Sequence, residues 1–425
     1  MMKDKIIYYC DCLIMYSLCL LIFCLPFSKA GAESFTLLAF VLWILKRVLG
    51  YRAGSLWGML PKTALNKALG LYVLILVLSV IFSVDYGLSL RGFFGKELKF
   101  LAIFFMMVEI INSNELLRNI LIAIIGSAML IVADASVQYF RGVDFLRGYQ
   151  YSRLTASFSA ANGLAAWLIV IIPLVMGIFI WVKVMHSTLK VALFILILML
   201  LNCLLLTYSR GAWLGIMVAA IVMSYYVLRN SKLKTKIHYL YFAICLFLIF
   251  LFVSKLINVK MRKIEKVNFD SGQTVGERIK SVIKINEGAS LVRINLWKES
   301  LMMLRDHPFI GCGINTYSIV APAYKVSESG GIYPHNSFLQ KSAETGLLGL
   351  FAFLWILFSF FKIGLQHLHI RKDMLVLGLL SGILAFLVQS IFDNHLYSLQ
   401  LVVLFWYMLG LTIAVINLEA DRIKI

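Results

Sequence analysis

The residues most able to do chemistry sit in one short stretch, Tyr333-Pro334-His335-Asn336-Ser337-Phe338-Leu339-Gln340, which runs on through Lys341 to Glu344 and Gly346. It closes the only long polar segment of a very apolar chain and leads directly into a new apolar span. An imidazole, an amide, a hydroxyl and a carboxylate are thereby gathered at a membrane boundary, where polar groups are costly unless they bind or react. His335 is suited to take a proton from a hydroxyl, since an imidazole titrates near pH 6.5. Asn336, Ser337 and Glu344 are expected to contact substrate or to orient it. The competing reading is a helix start, with Pro334 setting the turn and Asn336 or Ser337 as cap.

Arginines supply the complementary charge. Thr207-Tyr208-Ser209-Arg210-Gly211 is a polar knot between two apolar spans, and Arg210 has almost no loop around it to dilute its charge. A guanidinium fork pairs with two phosphate oxygens at once, although a boundary arginine also snorkels to head groups. Arg153 follows Arg141 and Arg147 and is a second phosphate contact, with Ser209 beside Arg210. Asn162 reads as a helix cap. Arg293 opens an amphipathic segment. Asp393-Asn394-His395 is either a rival acid/base pair or a polar turn. The chain has no Asp-x-Asp, no GxxxxGK[ST], no GxSxG and no HExxH, and its seven cysteines form neither a CxxC pair nor a Cys/His cluster. No metal and no cofactor is expected.

These residues are positioned by an all-α integral membrane protein. Of the 425 residues, 61% are hydrophobic and 14% charged, and the mean hydropathy is +0.89; soluble domains are about a quarter charged. The formal net charge is +19. Its basic residues lie between apolar spans, which favours topology signals, anionic lipids or a phosphate-bearing substrate over nucleic acid.

About twelve spans are expected, near 12–27, 32–48, 66–83, 98–113, 117–138, 162–182, 188–208, 211–228, 237–254, 342–362, 373–392 and 397–417. Lys3 and Lys5 before the first span, and Ala30-Gly31-Ala32 after it, resemble a signal peptide, but the stretch reads as an uncleaved helix. With the N-terminus inside, inner segments carry 19 basic residues against 8 in the short outer ones, and 13 more lie in loop 255–341. Both termini are therefore expected in the cytoplasm, with the loop outside. The chain reads as one polytopic domain, 1–425, with 255–341 as an inserted outer subdomain before the last three helices. Within it Ile294, Trp297, Leu301 and Leu304 recur at helical steps over 290–305, ended by His307-Pro308 and the Gly311-Cys312-Gly313 turn.

Thr207–Gly211, Arg293 with Trp297, His307-Pro308-Phe309-Ile310-Gly311-Cys312-Gly313, and Pro334-His335-Asn336-Ser337 with Leu339, Glu344, Gly346 and Gly349 together resemble the O-antigen ligase and O-antigen polymerase superfamily. The motifs cover about 140–350. The resemblance implies a metal-free glycosyltransferase of the bacterial inner membrane, working on its periplasmic face. Its donor would be a glycan on undecaprenyl diphosphate and its acceptor the lipid A–core or a related glycan. By motif the family's two arginines and histidine fall on Arg210, Arg293 and His335. A polymerase that joins lipid-linked repeat units is the nearest alternative. A flippase or other transporter, which would favour mid-span charges and a duplicated half, is the more distant one.

Overall fold

The computed structural model describes residues 2–50, 60–148, 153–181, 187–230, 289–326 and 331–421. These are helical apart from turns and connections: α1 (Met2–Cys24), α2 (Lys29–Gly50), α3 (Asn66–Ile81), α4 (Tyr86–Gly92), α5 (Lys99–Ile110), α6 (Asn114–Arg141), α7 (Ala161–Trp181), α8 (Ser187–Leu206), α9 (Arg210–Asn230), α10 (Ala289–Asp306), α11 (Tyr317–Val320), α12 (Ser337–Arg371), α13 (Met374–Ser390) and α14 (Leu399–Asp421). A π-helical segment, Phe93–Leu98, joins α4 to α5.

Seven of the described helices are long and apolar enough to cross a membrane, and α3 and α13 are apolar but shorter. The chain is a multi-pass membrane protein. The expected span at 98–113 is only the 12-residue α5, which continues from α4 and the π-helical segment, two elements the hydropathy pattern does not show. The expected span at 237–254 and the first part of the loop, 255–288, lie outside the described residues. The expected loop helix is present as α10.

The chain divides into two compact units. One comprises 1–124, 288–370 and 390–425, and the other 125–287 and 371–389. In the first, α1 and α2 form a hairpin and α14 is almost wholly buried. An all-apolar helix of this kind belongs inside a bundle. Gly410 lets α14 meet α5, since a Cβ there would lie 2.9 Å from the Phe104 carbonyl oxygen. In the second unit, α7 and α13 are both largely buried, and their backbones touch at Gly177, Gly378 and Gly382. Small residues permit such approach where no hydrophobic drive separates helix from lipid.

The feature that positions the polar segment is a break in α12. At Gly346 the backbone leaves the helix (φ 69°, ψ −175°). The groups freed there are taken up by the stretch that follows α10. Leu347 N–H donates to the Pro308 carbonyl at 2.8 Å and Leu348 N–H to Phe309 at 3.2 Å; in return Cys312 and Gly313 N–H donate to the Ala343 and Glu344 carbonyls at 3.0 and 2.9 Å. The end of α3 joins the seam, with Ser79 Oγ donating to the Glu344 carbonyl at 3.0 Å and Val84 N–H to Cys312 at 2.9 Å. Gly346 is required twice over: its φ is left-handed, and a Cβ would lie 2.1 Å from the Phe309 carbonyl oxygen.

Gly346→Ala is therefore expected to lose at least about 2 kcal/mol, from the left-handed penalty plus the backbone clash. Thermal unfolding of the purified protein, read beside an exposed control such as Gly95→Ala, where a Cβ meets nothing within 4 Å, checks this.

Candidate functional site

In the first unit the site grows from the start of α12. Asn336 caps the helix: its Oδ1 accepts the Phe338 and Leu339 N–H groups, both at 3.0 Å. The cap turns the chain sharply, and His335 takes a left-handed conformation (φ 48°), rare for a non-glycine residue. Pro334 before it is held by Trp297 of α10, whose Nε1–H donates to the Pro334 carbonyl at 2.8 Å. Tyr333 stacks on Tyr317 of α11 with ring centroids 6.0 Å apart.

The result is a half-exposed imidazole with a fixed partner. His335 Nδ1 lies 3.0 Å from Asp393 Oδ1; the histidine side chain is 44% exposed and the aspartate 17%. Asp393 is itself tethered, its carbonyl accepting from Ser337 Oγ at 2.9 Å, and Ser337 Oγ accepts the Leu396 N–H at 3.3 Å. A carboxylate on one ring nitrogen selects the tautomer that leaves the other as base. Asp393, of the Asp393-Asn394-His395 turn, thus faces His335 directly rather than standing apart from it.

His395 shows how charge is distributed there. It is buried, and burial pushes its pKa down to about 4; the Asp393 carboxylate opposes this, and the charges of His335 and Arg293 add to it. Arg293 and His335 therefore act on one buried point, and His395 is neutral at physiological pH.

Glu344 and Asn336 both serve the scaffold. Glu344 is buried and clamps the α11 turn, its Oε1 accepting the Tyr317 N–H at 3.3 Å and Gln340 Nε2–H at 3.4 Å. Asn336 is the helix cap.

Arg153, Ser209 and Arg210 belong to the second unit. Arg153 Nε–H donates to the Thr207 carbonyl at 2.7 Å and Nη2–H to Asn162 Oδ1 at 3.2 Å. It braces the tight turn before α9, where Tyr208 is left-handed (φ 51°). Arg210 is the first residue of α9, and buried Ser209 lies 3.4 Å from the amide nitrogen of Gln389. Gln389, unnoticed in the sequence because it falls inside an apolar run, also reaches the Asn162 carbonyl at 3.4 Å.

A family sequence pattern described as O-antigen ligase matches residues 192–354. That stretch runs from α8 into α12 and contains Arg210, Arg293, His335 and Glu344. No curated protein matches the chain.

The buried neutral His395 makes stability pH-dependent. The unfolded imidazole gains a proton below about pH 6.5 while the folded one resists until about pH 4. The folded state is therefore fully favoured above pH 6.5 and loses up to about 3 kcal/mol as pH falls to 4. Thermal unfolding from pH 7.5 to 4 should show this slope, and His395→Gln should flatten it.

Proposed function

We propose, from the match of residues 192–354 to the O-antigen ligase pattern, that the chain is a glycosyltransferase that moves a polysaccharide from undecaprenyl diphosphate to a sugar hydroxyl of the lipid A–core. The family handles lipid-linked glycans. The observation that carries the reading is the His335–Asp393 contact at 3.0 Å on a half-exposed ring. It is the nucleophile–base–orienter arrangement with the nucleophile supplied by the acceptor.

In the reaction, the acceptor oxygen bonds to the anomeric carbon as the bond from that carbon to the phosphate oxygen breaks. The electron pair leaves with the lipid diphosphate. The acceptor's proton passes to His335 Nε2, and Asp393 stabilises the imidazolium, a general-base contribution of about 10²–10⁴-fold. Arg210 and Arg293 offset the charge that grows on the diphosphate, an electrostatic effect strongest in a site shielded from water. One displacement inverts the anomeric centre. Ser337 orients Asp393, while Asn336 and Glu344 hold the scaffold. Arg153 acts through the turn that presents Ser209 and Arg210. The protein lies in the inner membrane with both termini in the cytoplasm and the site facing the periplasm.

Deletion of the gene tests the acceptor. A ligase leaves bare core and polymer on its lipid carrier, whereas a polymerase leaves core capped by one repeat unit, and glycan trapped in the cytoplasmic leaflet marks a flippase. For the chemistry, transfer by reconstituted protein should fall about 10²-fold or more in His335→Ala and Asp393→Ala. Arg210→Lys should lose much of the rate, since lysine lacks the fork. Wild-type transfer by His335→Ala, or a product with retained configuration, overturns the mechanism.

A further inference from the structure

The geometry points to Gln340 as a positioning residue for His335, acting through Asn394 and Asp393. This rests on the reading of His335 as the base. Gln340 is buried at 2% exposure, one helical turn beyond Ser337 and on the same face of α12. A buried amide is costly unless both its ends are satisfied. Here both are: Nε2–H donates to Glu344 Oε1 at 3.4 Å, and Oε1 accepts from Asn394 Nδ2–H. Asn394 in turn donates its backbone N–H to Asp393 Oδ1 at 2.9 Å, the same oxygen that faces His335 Nδ1 at 3.0 Å.

Two hooks on one face of the helix thus hold the loop that carries the orienting carboxylate. Ser337 takes the backbone of Asp393 at 2.9 Å, and Gln340 takes the side chain of Asn394. The turn that bears them is anchored from behind by Lys341, whose Nζ donates to Tyr72 Oη at 2.6 Å and to Glu97 Oε1 at 3.2 Å. Asp393 faces His335 directly, and the charges of His335, Asp393 and Arg293 all act on the buried His395 behind it. Only an amide fits position 340. A glutamate would set a second carboxylate against Glu344, and a leucine would leave Asn394 and Glu344 each short of a partner.

The test uses Gln340→Met, which keeps the length and removes both ends, in the full-length protein. Transfer kcat should fall roughly 10- to 100-fold with KM little changed, the cost of a misplaced base. In the Asp393→Ala background the same substitution should cost less than about 2-fold, because the two residues act as one unit. Asn394→Ala, which breaks the chain from its other side, should reproduce the loss. A second readout needs no glycan: carbethoxylation of His335 by diethyl pyrocarbonate, followed by mass spectrometry, should speed roughly 3-fold or more once Nδ1 is released, the factor one net hydrogen bond implies. Equal losses in both backgrounds, or unchanged labelling of His335, overturn the assignment. Faster labelling together with undiminished transfer by His335→Ala leaves the positioning intact and removes the base role instead.

Discussion

The break in α12 at Gly346 is the constraint on which the polar segment depends. A helix broken in apolar surroundings exposes N–H and C=O groups that lipid cannot satisfy, each at a cost of several kcal/mol. Residues 308–313 meet that demand with four backbone hydrogen bonds. The bargain runs both ways, because the same bonds fasten a polar connection to a membrane helix. At Gly311 and Gly346 two backbones come too close for any Cβ, and at Gly313 a Cβ would strike the Ser83 and Ser89 side chains.

Above the break the first turns of α12 are polar yet buried. Lys341 is enclosed by the rings of Tyr72, Phe353 and Tyr397, 5.2–5.9 Å from its Nζ, and pairs with Glu97 on the π-helical segment. Removing one member of such a pair strands the other charge. The network therefore fixes which way α12 faces, and so where Ser337 and Gln340 reach. His335 can then hold a left-handed conformation that would not persist unsupported, because Trp297, Asn336 and Asp393 determine it from three sides.

Apolar length made most helices legible in the sequence, and His335 and Arg293 stood out from their types as candidates. What was not legible depends on separation along the chain. Asp393 stands 58 residues from His335, and no local pattern ties them together. Asn336 and Glu344 were visible as polar residues at a costly place, but caps and clamps are as good a reason for polarity as substrates are. The short α4 and the π-helical segment escaped notice because Arg91, Lys96 and Glu97 interrupt the apolar period there, and Glu97 is paid for by Lys341, far away in sequence.

The motif residues consequently divide into two kinds. Gly311, Gly313, Glu344 and Gly346 make the seam, and Asn336 makes the cap. These are needed for the fold itself, whatever the chain acts on. On the proposed reading, His335, Arg210 and Arg293 are the charge chemistry built on that scaffold. A match over 192–354 thus speaks first of the scaffold and of the charge chemistry built on it. The seam and the cap spend their polar groups on the protein's own backbone, so on the proposed reading the choice of acceptor, and with it ligase against polymerase, falls to side chains elsewhere.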